Sequence, residues 1–344
     1  MKRIFALMVT LLLAVTMFAC EEDGEFKVDI FIYKYSDTYI TSVRNAMDAE
    51  LKGIDVNYTF HDADGSQETQ NTQIDGAIAN GTDLIVVNIV ETESGNVVIQ
   101  KAKNAKIPVI FFNREVSDAV VNSYDDAAFI GTDPDEAGYM QGEMIADLLL
   151  ADGAWEKYDL NNDGKINYIM LRADLDNPEA NGRTKYSTQE ANRLLVAASK
   201  PELVQIGTDQ MAGWDLATAK TMTDALLTSN PYTGDQPIEL VIANNDDMAL
   251  GAIQSLNGVG YNTGSDATKY VLVVGVDATA TAVDAIQGGK MAGSIKQDGV
   301  AMAKAIVKFI ENVSLDKDFN EGTDYTFETG ADKVRIPYAK YTGE

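Results

Sequence analysis

Leu84-Ile85-Val86-Val87-Asn88-Ile89-Val90 forms a nearly continuous run of apolar, mostly β-branched residues. A strand with one face in water alternates apolar and polar residues, so an unbroken run predicts a strand that is buried on both faces. Two comparable runs, Val28–Tyr33 and Ile107–Phe112, lie on either side of it in the chain. Segments with helical periodicity separate these runs, and this alternation predicts a parallel sheet covered by helices on both faces.

The same alternation starts again after Gly131. A helical pattern over Asp135–Leu150 is followed by apolar runs at Ile166–Leu171, Ile238–Ala243 and Val271–Val276, with further helical patterns between them. A chain of 344 residues is long enough for two domains, each with its own core. We therefore predict an α/β protein with two doubly wound, Rossmann-like parallel-sheet lobes.

The amino-terminal residues have the pattern of an export signal. Met1-Lys2-Arg3 precedes the apolar run Ile4–Val15, which is too short for a comfortable membrane span. Cys20 is the only cysteine, and its place after this run resembles the lipidated first residue of a bacterial lipoprotein. We predict a signal peptide over residues 1–19 and a lipid-anchored tether over residues 20–25, with cleavage that adds no lipid as the alternative.

The chain is strongly acidic. It contains 53 Asp and Glu residues against 27 Lys and Arg residues, a formal net charge of −26. Such a surface repels the phosphates of nucleic acids and of anionic lipid headgroups. We therefore exclude nucleic acid as a partner and expect membrane attachment only through the lipid.

Asp159-Leu160-Asn161-Asn162-Asp163-Gly164-Lys165-Ile166-Asn167 has the spacing of a calcium-binding loop. Side-chain oxygens occupy its first, third, fifth and ninth positions, glycine its sixth, and the seventh offers a backbone carbonyl. The twelfth position, which carries a bidentate glutamate in a helix-loop-helix site, is Met170 inside an apolar run. A calcium ion here needs its missing carboxylate from a distant segment. The alternative is an ordinary turn rich in Asn, Asp and Gly.

Polar and aromatic residues follow the predicted strands at their carboxyl ends, where open parallel sheets bind ligands. They are Asp37, Tyr39, Asn88, Arg183, Trp214, Asn244, Asn245, Asp246 and Asp277. Carboxylates, amides and guanidinium groups can each pair with two adjacent hydroxyls, and aromatic rings can stack on the apolar face of a pyranose. The set predicts a carbohydrate cleft, although helix capping alone could explain Asn244–Asp246 and Asp277.

The residues that the sequence contains argue against several kinds of enzymatic site. His61 is the only histidine, and the sequence contains no G-x-S-x-G motif, so a serine-hydrolase triad has little support. One histidine and one cysteine also exclude a zinc site built from these two residue types. A pair of carboxylates could hydrolyse a glycoside, but the sequence singles out no acid for this role.

Five motifs of the chain resemble the galactose/glucose-binding branch of the type I periplasmic sugar-binding proteins of ABC transporters. They are Ile32–Asp37, Phe111–Glu115, Gly131–Asp133, Val241–Asp246 and Gly275–Asp277. The resemblance runs from about Phe26 to Tyr338 and includes the calcium-like loop. It implies two α/β lobes that close like a hinge. The first would span residues 26–131 plus 297–331, and the second residues 132–296 plus 332–344.

The resemblance also implies two sets of ligating residues. The calcium ligands would be Asp159, Asn161, Asp163, the carbonyl of Lys165, Asn167 and the distant Glu239. The sugar contacts would be Asp37, Tyr39, Asn88, Asn177, Glu179, Arg183, Trp214, Asn245, Asp277 and Gln297. Among these, Tyr39, Asn177, Glu179 and Gln297 stand where the family has phenylalanine, histidine, aspartate and asparagine. These four changes can alter the preference among sugar hydroxyls.

We therefore expect a monomeric, lipid-anchored, extracytoplasmic receptor that is not an enzyme. It would capture a galactose- or glucose-like monosaccharide between its lobes for an ABC permease and hold a structural Ca²⁺. A ligand-loaded receptor for a chemotaxis transducer or a sensor kinase is one alternative, and a glycoside hydrolase is a weaker one. A sugar-sensing repressor is disfavoured by the export signal, the acidic surface and the lack of an amino-terminal helix-turn-helix.

Overall fold

The computed structural model describes residues 25–266 and 268–343. The predicted signal peptide and Cys20 lie outside these residues. The strands are β1 Lys27–Ile32, β2 Asn57–Asp62, β3 Leu84–Val87, β4 Val109–Phe112, β5 Ala127–Gly131, β6 Asn167–Arg172, β7 Val204–Gln205, β8 Gln210–Met211, β9 Leu240–Ala243, β10 Leu272–Asp277, β11 Gly293–Gln297, β12 Lys333–Arg335 and β13 Tyr338–Tyr341. The α-helices are α1 Thr38–Leu51, α2 Gln67–Ala79, α3 Gly95–Ala105, α4 Asp118–Val121, α5 Glu136–Leu150, α6 Ala154–Tyr158, α7 Pro178–Ala197, α8 Leu216–Ser229, α9 Asp246–Gly258, α10 Ala280–Gln287 and α11 Gly299–Ser314.

The first lobe is built on a parallel sheet of six strands in the order β12-β5-β4-β3-β1-β2. All four residues of β3 and all four of β4 are buried, as their continuous apolar runs predict. One core cluster packs α1 and α11 against one face of the sheet. A second cluster packs α2 and α3 against the other face.

The second lobe repeats this plan. Its sheet has the order β13-β11-β10-β9-β6-β7, with β8 also pairing with β6. Every pair is parallel except the one between β11 and β13. Core clusters lie on both faces of this sheet. The prediction of two doubly wound α/β lobes is therefore confirmed.

Helices α5 and α7 approach each other closely because glycines line their contact. A Cβ on Gly138 would lie 2.4 Å from the carbonyl oxygen of Gly182, and one on Gly142 would lie 2.6 Å from that of Ser187. Only residues without a side chain allow this separation. The contact fixes the position of α7, whose first turns carry two of the predicted sugar contacts, Glu179 and Arg183.

The chain passes between the sheets three times, after β5, after β11 and after β12. The prediction that all of residues 332–344 belong to the second lobe is wrong for Lys333–Arg335, which pair with β5 in the first sheet. The buried ammonium of Lys333 lies 2.6 Å from Glu115 Oε1 and 2.6 Å from Asp118 Oδ1, both in the first lobe. A buried lysine needs such partners, so these carboxylates hold the strand there. Gln297, predicted to begin the returning segment of the first lobe, instead ends β11 of the second sheet.

Candidate functional site

A narrow cavity lies between the lobes, at the carboxyl ends of both sheets; we call it the inner cavity. It is lined by Tyr33, Asp37, Tyr39, Ile40, Asn113 and Arg114 of the first lobe and by Asn177, Glu179, Arg183, Trp214, Asn245, Asp277 and Gln297 of the second. Nine of the ten predicted sugar contacts are in this set. The free volume is about 40 Å³, so a ligand can enter only when the lobes separate.

Three of the lining residues are helix N-caps. Asp37 accepts a hydrogen bond from the Ile40 backbone N–H at 2.7 Å at the start of α1. Asn177 caps α7 and Asn245 caps α9 through equivalent side-chain contacts at 2.9 and 3.0 Å. The capping explanation and the cleft prediction therefore apply to the same residues, because the amino ends of these helices point into the inner cavity.

Arg183 is the centre of the hydrogen-bond network in the second lobe. Its guanidinium donates to the Asn244 carbonyl at 2.8 Å, to Gln297 Oε1 at 2.9 Å and to the Tyr338 hydroxyl at 3.0 Å. Asp277 Oδ1 lies 3.8 Å from the same group. These contacts fix a planar, charged group that is only 3% exposed at the wall of the cavity.

Three buried polar atoms of this wall have no hydrogen-bond partner within the part of the chain that the structure describes. They are Glu179 Oε2, Arg183 Nε and Gln297 Nε2. Buried polar groups are nearly always paired, because an unpaired one loses its hydration without replacement. One acceptor and two donors on three residues of one small cavity therefore indicate a ligand that both donates and accepts hydrogen bonds, as hydroxyl groups do.

Burial changes the acid–base behaviour of the cavity. It raises the pKa of Asp277 well above the ordinary value; the carboxylates of Asp246, Asp37 and Asp247 add to this effect, and Arg183 opposes it. Burial also raises the pKa of Glu179. It raises the pKa of Asp246 to about 7 as well; this residue lies behind the cavity and accepts hydrogen bonds from the Ser294 hydroxyl and the Thr279 N–H. Carboxylates thus crowd this side of the cavity, which disfavours an anionic ligand.

Three lining residues have backbone conformations in the left-handed region. The φ angles are 62° at Asn113, 63° at Trp214 and 115° at Asp277. Such conformations are unfavourable for residues with a Cβ atom and cluster at functional sites, where the surrounding structure maintains them.

Asn88 is the one predicted sugar contact that does not line the inner cavity. It is fully buried, and its Nδ2 donates to Asn113 Oδ1 at 3.1 Å and to the Phe112 carbonyl at 3.3 Å. In this structure Asn88 therefore supports Asn113, which lines the cavity in its place. The strand-end argument pointed to Asn88 after β3, whereas the amide that reaches the cavity follows the neighbouring strand β4.

Tyr33 and Arg114 were missed by the sequence reasoning. The guanidinium of Arg114 stacks 4.1 Å from the centre of the Tyr33 ring, and its Nη2 lies 2.9 Å from Asp174 Oδ2 of the second lobe. Trp214 Nε1 donates to the same carboxylate oxygen at 2.9 Å. Arg114 lies just past the end of β4, after Asn113, so the rule applied to the other strand ends could have identified it.

The loop Asp159–Asn167 folds around its own carboxylates. Asp159 accepts hydrogen bonds from the backbone N–H groups of Asp163 and Gly164 at 3.0 and 2.8 Å. Gly164 has a φ of 80°, which the sharp reversal at the sixth position requires. The side chain of Glu239 reaches this loop from the start of β9 and accepts from the N–H groups of Leu160 and Asn167 at 2.6 and 2.7 Å.

The donor atoms of this loop suit a hard cation. Glu239 is fully buried, and burial together with Asp159 and Asp163 raises its pKa to about 7. A divalent cation would neutralise this group of carboxylates. Among the described residues no three His, Cys, Asp or Glu side chains form a metal cluster by themselves. The three carboxylates of the predicted set, Asp159, Asp163 and Glu239, are therefore not gathered into such a cluster here, and the set takes its other donors from Asn161, Asn167 and the carbonyl of Lys165.

In the described part of the chain, no helix combines the length and the apolar character needed to cross a membrane.

The sequence has clear relatives. Residues 28–318 match the family described as periplasmic binding protein domain. The D-galactose/methyl-galactoside binding periplasmic protein MglB of Haemophilus influenzae is 34% identical over 313 residues, which cover 91% of this chain and 88% of that protein. A putative rhizopine-binding protein of Rhizobium meliloti is 30% identical over 274 residues, 79% of each chain.

Solved structures share the fold. A periplasmic solute-binding protein of an ABC transporter from Actinobacillus succinogenes, with bound D-allose, superposes with a TM-score of 0.73 at 20% identity, covering 93% of this chain and 98% of that one. A solute-binding protein of an ABC transporter from Bacillus halodurans, with bound myo-inositol, gives 0.69 at 26% identity, covering 94% and 96%. The chain therefore belongs to the periplasmic binding protein domain family, as a type I member with two parallel-sheet lobes.

Proposed function

We propose that this protein is an extracytoplasmic receptor that captures a galactose- or glucose-like monosaccharide in the inner cavity and delivers it to an ABC permease. The unpartnered buried atoms of Glu179, Arg183 and Gln297 carry this proposal, because they offer both donors and acceptors to a ligand. The similarity to a galactose-binding relative supports the same class of ligand.

The charges around the cavity favour an uncharged ligand. The carboxylates of Asp37, Glu179 and Asp277 face only two guanidinium groups, and Arg114 is already paired with Asp174. A phosphate or carboxylate on the ligand would be repelled, whereas hydroxyl groups can bridge acids and amides. Tyr39 and Trp214 supply aromatic faces for the apolar side of a pyranose ring.

The test is a calorimetric and thermal-shift screen of the purified protein against galactose, glucose, ribose, allose and myo-inositol. We expect binding to galactose or glucose and a rise in melting temperature, because a ligand that binds only the folded state stabilises it. Absence of binding to every sugar in the panel would refute the proposal.

Glu179→Gln provides the matched variant for this screen. It keeps the oxygen that accepts from the Glu115 N–H at 3.1 Å but replaces the unpartnered oxygen by an NH2 group, which donates a hydrogen bond and cannot accept one. Because a sugar hydroxyl that donates to this oxygen would then face a second donor and stay unpaired, we expect sugar affinity to fall about 10- to 100-fold with no loss of melting temperature. Glu68→Gln, on the exposed side of α2, is the control and should bind like the unmodified protein.

The protein is proposed to bind its sugar without chemical change. A glycoside hydrolase would release the phenol from an aryl glycoside, and release that depended on Glu179 or Asp277 would replace the binding proposal. A second candidate, in which the loaded form signals to a chemotaxis transducer or sensor kinase, uses the same cavity.

We propose lipid attachment at Cys20 as the anchor, which mass spectrometry of the mature amino terminus would test.

We further propose that Asp159–Asn167 and Glu239 hold a structural Ca²⁺. Bound there, the ion would supply positive charge to the buried carboxylates and tie the loop to β9, at a distance from the inner cavity. A chelator should therefore lower the melting temperature by several degrees and leave sugar affinity nearly unchanged. Asp159→Asn should reproduce the loss, and Asp152→Asn, on the exposed α5–α6 turn, should not. A melting temperature that responds to neither chelator nor Asp159→Asn would contradict the assignment.

A further inference from the structure

Two residues of the cavity wall, Glu179 and Arg183, lie one turn apart on α7 and are each held from behind the cavity. Glu179 Oε1 accepts from the Glu115 N–H at 3.1 Å, and the Arg183 guanidinium donates to the Tyr338 hydroxyl at 3.0 Å. One polar atom of each side chain, Glu179 Oε2 and Arg183 Nε, has no partner within the described residues. The positions of these two atoms therefore depend on what fixes Glu115 and Tyr338.

The carboxylate of Glu115 is fixed by two cations of β12. Arg335 donates to both of its oxygens, from Nη1 to Oε2 and from Nη2 to Oε1, at 2.8 Å each. Lys333 Nζ donates to Oε1 at 2.6 Å. A bidentate pair of this kind fixes orientation as well as distance. Asn113, two residues earlier, has a left-handed backbone, which persists only when surrounding contacts maintain it, so the contacts with β12 determine where the Glu115 N–H points.

Thr132, at the start of the crossing that follows β5, joins the two sets of contacts. Its carbonyl accepts from Arg335 Nη1 at 2.6 Å, and its hydroxyl lies 2.8 Å from the Tyr338 hydroxyl. Thr132 is fully buried, and the carbonyl of the preceding Gly131 accepts from the Ile336 N–H at 2.7 Å. The crossing after β5 and the crossing after β12 are therefore bonded to each other side by side. We call Thr132, Arg335 and Tyr338 the crossing clasp.

The crossing clasp supplies what α7 alone does not. Glutamate and arginine side chains have several rotatable bonds, so their places on a helix leave the ends of the side chains free to move. A ligand hydroxyl group can donate and accept at once, so it binds best where an acceptor and a donor are held at a fixed separation. The clasp reaches the acceptor Glu179 through Glu115, and it reaches the donor Arg183 directly.

We infer that Arg335 and Tyr338 are positioning residues for the ligand. Arg335 holds Glu115 so that its N–H orients Glu179, and Tyr338 holds Arg183. This inference rests on the proposed function, because the two groups that it positions also carry that proposal. It adds that the spacing of the acceptor and the donor is determined by the chain crossings between the lobes.

The experiment measures affinity for the preferred hexose by isothermal titration calorimetry. Tyr338→Phe removes the hydroxyl and keeps the ring, and Arg335→Lys keeps the charge and loses the planar fork. We expect each variant to bind the sugar about 3- to 10-fold more weakly, because a wall group loses one of the contacts that orient it.

Each variant has a matched control. Tyr341→Phe changes a tyrosine of the same strand, β13, whose hydroxyl accepts from Gln287 Nε2 at 3.1 Å, away from the cavity. Arg193→Lys breaks a comparable fork, to Glu190, on the exposed side of α7. Both controls should bind like the unmodified protein. A sugar affinity of Tyr338→Phe or Arg335→Lys equal to that of its control would overturn the inference.

A double-mutant cycle separates positioning from a general weakening of the closed protein. In a Glu179→Gln background the unpartnered oxygen is replaced by an NH2 group, so Arg335→Lys has no acceptor left to misplace and should cause less than about a twofold further loss. Tyr338→Phe acts on Arg183 and should cause the same loss in both backgrounds. A merely structural role would make the loss from Arg335→Lys equal in the two backgrounds, and that result would also overturn the inference.

The two proposals fail in different ways. If the unmodified protein binds the sugar and the clasp variants bind it equally well, the positioning role is refuted and the proposed function stands. If the unmodified protein binds no sugar, the proposed function fails, and the positioning role falls with it.

Discussion

At the scale of single residues, the same side chain often serves the fold and the cavity together. Asp37, Asn177 and Asn245 cap helices with one atom, and each also lines the inner cavity. A strand end followed by Asp or Asn therefore could be recognised in the sequence. Asn88 shows the limit of this rule, because a buried amide can hydrogen-bond a neighbouring residue instead of a ligand, and only the packing decides which.

The buried carboxylate of Asp246 predicts a specific dependence of stability on pH. Its pKa is raised from 3.8 to about 7 in the folded protein, chiefly by burial. Between these two values the unfolded chain has lost the proton that the folded chain keeps, so its contribution to stability is present below about pH 4 and is lost as the pH rises to 7. The loss is on the order of 2–4 kcal/mol.

Asp246→Asn tests this dependence, because the variant side chain does not titrate. We expect the difference in unfolding free energy between the unmodified protein and the variant to fall steadily from pH 4.5 to pH 7.5 in chemical denaturation. Asp152→Asn, an exposed aspartate, is the control and should show no such trend. A difference that stays constant across this range would show that the folded carboxyl is already ionised at pH 4.5.

At the scale of elements, continuous apolar runs were sufficient to predict the central strands, because strands buried on both faces have no other pattern. The strands at the edges of the sheets were harder to predict. The strand β12 has only three residues and carries a buried lysine, so nothing in its composition indicates a sheet. Its place depends on Glu115 and Asp118, more than 200 residues earlier in the chain, and this pairing was not visible from local sequence. The left-handed backbone of Asn113, which helps to bring it to the cavity, was equally invisible.

The close contact between α5 and α7 makes Gly138→Ala an informative change. The new Cβ would lie 2.4 Å from the Gly182 carbonyl oxygen, so the helices must move apart. We expect the unfolding free energy to fall by about 1–3 kcal/mol. Since α7 carries Glu179 and Arg183, sugar affinity should fall as well, which urea denaturation and calorimetry would measure.

Gly76→Ala is the matched control for Gly138→Ala. Gly76 also lies in a helix, but a Cβ added there would have no neighbouring atom within 4 Å. Alanine there should be neutral or stabilising by up to about 1 kcal/mol, because it favours the helix over the unfolded chain. Equal stability of the two variants would contradict the view that glycine is needed to bring α7 against α5.

At the scale of the whole molecule, side chains hold the two lobes together around the inner cavity. Thr38 of the first lobe donates to Asp247 Oδ2 of the second at 2.7 Å, and Arg114 pairs with Asp174 at 2.9 Å. The Glu115 N–H donates to Glu179 Oε1 at 3.1 Å. These contacts exist only when the lobes are close, so they favour the closed state, as a ligand that binds both lobes does.

Thr38→Ala tests this balance, because it removes one contact between the lobes without touching the inner cavity. The closed state alone loses a hydrogen bond, so the population of open molecules rises and the apparent sugar affinity falls by about 2- to 10-fold. Small-angle X-ray scattering should show a larger radius of gyration than the unmodified protein without sugar and the same radius at saturation. Stopped-flow measurements should show that most of the affinity loss comes from a faster dissociation rate.

Thr72→Ala is the control, because the Thr72 hydroxyl bonds only the Glu68 carbonyl within α2, and it should change none of these quantities. If Thr38→Ala behaves like Thr72→Ala, the closed state is held by the crossings between the lobes, and its side-chain contacts follow closure without causing it.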